Sequence, residues 1–147
     1  MKKQLSLCLW LLPFLLLYSC GGVIGNIEKY RFPNVSINAL KTAVDSVYHN
    51  HPDFKNFDTV KYKENQSIGD GDYYCRIKEN NQDYLFVYAY PQYPSPNDTI
   101  VEIALTSAAK YGEKLELAKN ISATEKNKYS NIFEKYFIIE VRKELKK

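Results

Sequence analysis

The apolar positions of this 147-residue chain change their period along its length. After Ser36, Ile37, Leu40, Val44 and Val47 recur at helical spacing with Ala43 beside them, so one face of a helix is apolar. Ser36 is placed to cap that helix. Asn50-His51-Pro52 ends it, because proline cannot continue a helical backbone. A helix over 36–49 is predicted.

Period two then takes over. Tyr73, Cys75 and Ile77 alternate with Tyr74, Arg76 and Lys78. Leu85, Val87 and Ala89 alternate with Tyr84, Phe86, Tyr88 and Tyr90, and Val101, Ile103 and Leu105 with Ile100, Glu102, Ala104 and Thr106. The connections, Glu79-Asn80-Asn81-Gln82 and the proline-rich Pro91 to Asp98, are too short for helical crossovers, so the three strands form an antiparallel meander. Val60 to Lys63 and Lys114 to Leu117 predict two further short strands.

Helical spacing returns near the end. Ser122-Ala123-Thr124-Glu125 has capping-box spacing. Tyr129, Ile132, Phe133, Tyr136, Phe137 and Ile139 then form a broad stripe, predicting a helix over 123–145. Tyr136 to Val141 also carries strand propensity, which leaves its state open. The predicted fold is α+β: one domain over 35–147, in which an antiparallel sheet of three to four strands is packed by an N-terminal and a C-terminal helix. The aliphatic face with Cys75, Ile77, Leu85, Val87, Ile103 and Leu105 is expected to meet the helices. Tyr84, Phe86, Tyr88 and Tyr90 then fall on the other face, beside Tyr74 and Arg76.

The amino terminus has a different character. Met1-Lys2-Lys3 is basic, Leu5 to Leu17 is apolar but broken by Pro13, and small residues come next, which describes an export signal. A bilayer span needs about 20 apolar residues, so a permanent transmembrane helix is the poorer reading. Leu17-Tyr18-Ser19-Cys20 resembles the lipobox of bacterial lipoproteins, with Tyr18 bulkier than the usual occupant. The resemblance implies that 1–19 is a cleaved signal peptide, that Cys20 becomes lipidated through its sulfur, and that the new terminus is acylated. Each buried methylene contributes about 0.8 kcal/mol, so several chains hold a domain at a membrane essentially permanently. Gly21, Gly22, Gly25, Asn26 and Pro33 predict that 20–34, starting at the lipidated cysteine, is a flexible tether. Acids just after the cysteine, which in some Gram-negative bacteria resemble a signal for display outside the cell, are absent before Glu28. Attachment to the cell membrane or outer membrane, facing the periplasm, is the expectation.

Removing the signal changes the composition. Of 20 basic residues Lys2 and Lys3 are lost, leaving 18 against 17 acids, a formal charge of +1. With no concentrated basic face, nucleic acid is not an expected partner. Of three cysteines, Cys8 leaves with the signal and Cys20 takes lipid, so Cys75 has no disulfide partner.

Chemistry-bearing motifs are sparse. Cys75 with His49 or His51 is the candidate nucleophilic dyad of an envelope hydrolase. Yet Cys75 shares its strand face with core positions, where a thiol behaves as a small hydrophobe. His49, His51 and Asp53 lack the further ligands a structural metal site needs, and Asp70-Gly71-Asp72 lacks the later ligands of a calcium loop. No cofactor motif is present, and none is expected. The aromatic row is the remaining candidate: Tyr74, Arg76, Tyr84, Phe86, Tyr88 and Tyr90 as a contact face for an envelope protein or glycan, unless another element covers it. The leading expectation is a lipid-anchored, non-catalytic binding module. The alternatives are the hydrolase and an immunity-type lipoprotein.

Overall fold

The computed structural model describes residues 25–55, 72–90 and 100–147. The lipobox, the predicted strand at 60–63 and the proline-rich 91–98 lie outside the described residues. Within them the chain folds as an α+β domain. Strand β1 (Glu28–Pro33) leads to helix α1 (Ile37–Asn50) and a 3-10 turn at Pro52–Lys55. Strands β2 (Asp72–Glu79), β3 (Gln82–Ala89), β4 (Ile100–Lys110) and the two-residue β5 (Glu116–Leu117) come next. A helical rod closes the chain: α2 (Ala123–Phe133), a π-helical turn (Glu134–Ile138) and α3 (Ile139–Glu144). No helix among the described residues is long and apolar enough to cross a membrane.

Local chemistry fixes the element ends. The Ser36 side chain accepts from the Ala39 amide at 3.1 Å, and the Ser122–Glu125 capping box forms as its spacing predicts. Asn80 and Asn81 both take positive φ, 50° and 62°, which lets the β2–β3 hairpin close in two residues. The sheet is antiparallel in the order β1-β4-β3-β2, with β5 also paired to β4.

β1 corrects the predicted extent of the tether. Tyr30 and Phe32 are buried and pair opposite Ile103 and Val101, so residues expected to be flexible form an edge strand. The Ile27 amide already donates to the Leu105 carbonyl at 2.7 Å. A glycine- and asparagine-rich approach hides the strand, which has only two inward side chains and ends on Pro33.

The largest correction concerns the sheet's faces. Tyr88 pairs with Tyr73, Phe86 with Cys75 and Tyr84 with Ile77, so the aromatic row shares the Cys75 face. That face is the one the helices cover: Phe86 and Tyr88 pack against Phe133, and Tyr88 also against Phe137, with ring centroids 5.2–5.7 Å apart. Leu85 and Val87 instead occupy the reverse face, in a smaller cluster with Ala109 and Leu115. Because β3 is buried on both faces, its alternation carries no sign of which side meets the helices. A β-bulge reinforces the aromatic choice. Val87 pairs with Ser107 but Tyr88 with Leu105, and Thr106, the extra residue, donates its hydroxyl to the Val87 carbonyl at 3.1 Å. Leu105 and Ala108 thereby both reach the helix-side core.

Tyr136 to Val141 is helical, and its phase differs from regular α-helix. An α-helical stripe through Tyr129, Ile132 and Phe133 continues to Tyr136, Phe137 and Glu140, which would bury a carboxylate. The π turn inserts one residue and shifts the inward set to Phe137, Ile138 and Val141. Tyr136 is left half-buried and Ile139 exposed.

Two outcomes check this packing. Deleting the exposed Lys135 should restore regular α-helix with the same inward residues, leaving the melting temperature within a few degrees. Phe137→Ala should cost about 3–5 kcal/mol in denaturant unfolding.

Candidate functional site

The inward aromatic layer reaches the surface at one corner of the sheet, where β2 begins and β3 ends. On α1, Val44 and Tyr48 face the core while Lys41 and Asp45, one turn apart, stay exposed. Across from them stand Tyr73 of β2 and Tyr90, just beyond β3. Together with Lys55, Asp72 and Tyr74 they line a cleft of about 350 Å³.

Hydrogen bonds fix the floor of this cleft. The Tyr48 hydroxyl donates to the Tyr74 carbonyl at 2.6 Å and lies 3.0 Å from the Tyr88 hydroxyl. Burial drives all these groups toward their neutral forms: it raises Tyr48, Tyr88, Tyr90 and the Cys75 thiol well above their ordinary values. Tyr74 is pushed up to about 12, by burial first and by the Asp72 carboxylate second.

Three charged side chains of the walls, Lys41, Asp45 and Lys55, form no ion pair among the described residues. Lys41 and Asp45 stand at helical i,i+4 spacing, yet the Lys41 ammonium lies 5.7 Å from the Tyr90 ring centroid. Lys55 sits 4.9 Å from the centroid of Tyr48. Tyr73 stacks on Tyr88 at 5.5 Å and 20°, and meets Tyr90 edge-on at 4.9 Å. It remains 39% exposed.

The candidate residues read from the sequence are therefore dispersed. Tyr84, Phe86 and Tyr88 are core side chains and present no contact face in the folded domain. Tyr74 and Arg76 project from the reverse face, where Arg76 pairs with Asp83 at 2.9 Å and lies over the Tyr111 ring. Of the residues read from the sequence, Tyr74 and Tyr90 line the cleft, both half-buried. Tyr48, Tyr73, Lys41, Asp45 and Lys55 were missed. Tyr48 could have been added to the α1 stripe, four residues after Val44, but nothing local marks the lysines or Asp45.

The dyad is not assembled. Cys75 is fully buried, and among the described residues neither histidine bonds to it. His49 lines a separate shallow depression with Asp45, Asn50 and Glu144, and His51 stacks on Phe54 at 5.0 Å. No three His, Cys, Asp or Glu side chains converge as metal ligands among the described residues. Comparison with known proteins finds no matching family model, curated protein or solved structure.

The buried hydroxyls set a pH dependence. In the unfolded chain tyrosines ionise near pH 10 and the thiol near 9, while the fold holds their protons to higher pH. The unfolded state then binds fewer protons, so stability falls as pH rises. The melting temperature should be level from pH 7 to 8.5 and fall steeply above about pH 9–10. Tyr48→Phe should be less stable at pH 7 by about 1–2 kcal/mol but decline less steeply. A flat profile to pH 11.5 would contradict the buried network.

Proposed function

We propose that this chain is a lipid-anchored, non-catalytic binding module of the cell envelope, which takes its partner in the cleft between α1 and the β2 edge. The observation that carries the reading is the combination of rigid tyrosine rings with Lys41, Asp45 and Lys55, charged side chains that line the cleft without ion pairs among the described residues. Charges left solvated beside aromatic surface cost nothing until a partner supplies complementary groups, which suits recognition. Burial of Cys75 and its raised thiol weigh against the hydrolase reading, because a nucleophile needs an accessible thiolate.

The anchor is drawn from the resemblance of Leu17-Tyr18-Ser19-Cys20 to a lipobox. Cys20 carries the lipid in this reading, and the domain faces the periplasm from the cell membrane or outer membrane. From Cys20 to Ile27, the first residue bonded to the sheet, the chain spans seven residues, at most roughly 25 Å when extended. The module is thus held close to its membrane.

Mass spectrometry of the mature protein should find an acylated Cys20 as its first residue. Photo-crosslinking in living cells should capture an envelope component from p-benzoylphenylalanine at position 41 and not at position 126, on α2. An unmodified or different first residue removes the anchor, and equal capture at both positions removes the cleft.

A further inference from the structure

We infer that the cleft takes a saccharide, with Tyr73 as its stacking platform. The inference rests on the binding-module reading above and names the ligand class for the same cleft.

Three features point to sugar. The Tyr73 ring is stacked on Tyr88 and meets Tyr90 at 75°, so two neighbours hold it while it remains 39% exposed. A fixed, partly exposed aromatic ring carries negative potential on its faces, which complements the polarised C–H face of a pyranose ring. Around it, Lys41 and Lys55 offer donors and Asp45 offers acceptors, all exposed and outside any ion pair among the described residues. Sugar hydroxyls both donate and accept, so a single saccharide satisfies both kinds of group. The volume of about 350 Å³ is at the small end of ligand sites, typically about 300–1,000 Å³, which suits a short saccharide segment and not a folded partner's surface.

Other ligand classes fit less well. A lipid tail would desolvate the charged walls. A phosphate group would meet the Asp45 and Asp72 carboxylates beside the lysines, and a polybasic peptide would meet Lys41 and Lys55.

The position of the cleft also suits such a ligand. Ile27 leaves the sheet from β1, three strands from β2, a distance of roughly 14 Å at about 4.8 Å per strand. Gly25 lies beside Ala118, which follows the β5 residues paired midway along β4, and the cleft lies where β2 begins, level with Ala104 through Ala89. The attached end and the cleft thus lie at opposite edges of the sheet, separated by its width.

The test titrates the full chain in detergent micelles with cellotetraose, tetra-N-acetylchitotetraose and maltotetraose, alongside a mixed-sequence hexapeptide and inorganic phosphate. Calorimetry and saturation-transfer NMR report binding. At least one oligosaccharide should bind, with its ring C–H protons saturated, and Tyr73→Ala should weaken it about tenfold or more. Asp45→Asn, at an exposed helix position, should also weaken it several-fold with an unchanged melting temperature, which covers the case in which Tyr73→Ala disturbs folding. No oligosaccharide binding at millimolar concentration overturns the inference. So does saccharide binding indifferent to Asp45→Asn, or binding of the peptide or phosphate alone. If position 41 still crosslinks selectively in cells while no sugar binds, the ligand class fails and the binding-module reading stands.

Discussion

The fold depends on one contact layer: the aromatic rings that the sheet and the helical rod share. Phe86 and Tyr88 of β3 meet Phe133 and Phe137, and the latter two stack on each other at 4.9 Å. Rings of this size bury much apolar area but tolerate little misplacement. That demand accounts for two irregularities. The bulge at Thr106 rephases β4 so that Leu105 and Ala108 both close the layer, and the π turn rephases the rod so that Phe137, Ile138 and Val141 do the same. Each moves a run of side chains by one residue in preference to leaving a ring without a neighbour.

Placing tyrosines inside creates a second demand, since a buried hydroxyl without a partner is costly. Tyr48 answers it by linking Tyr88 to the Tyr74 carbonyl, and Tyr30 by donating to the Ser130 carbonyl at 3.0 Å. The same hydroxyl network ends at the cleft, where Tyr73 and Tyr90 are the outer members of the layer. The proposed recognition surface is thus an extension of the core. Its rings are held by packing that the fold needs anyway, and the charged residues of α1 are set around them by helical spacing.

The α+β class, α1, the hairpin, the capping box and the second helix were all legible, because each depends on local spacing. Four things were not. The inward face of β3 is undetermined by alternation when both faces are buried, and aliphatic Leu85 and Val87 looked as core-like as Phe86 and Tyr88. β1 carries only Tyr30 and Phe32 inward, too few to stand out from the glycine-rich approach. The π turn was visible only as a conflict: regular helix would have buried Glu140 and exposed Ile138 and Val141. The cleft was least legible, because Lys41, Lys55 and Tyr73 come from three separate elements. Cys75, by contrast, is buried on the face that its strand parity with Ile77 indicates, so parity can be trusted where a strand's neighbours fix the face.

Tyrosine nitration of the native chain, mapped by peptide mass spectrometry, tests most directly whether the aromatic row lies inward. Tyr73 should be modified early, while Tyr48 and Tyr88 remain unmodified until the domain unfolds. Nitration of Tyr88 at a rate matching Tyr73 in the folded protein would contradict the inward layer and everything built on it.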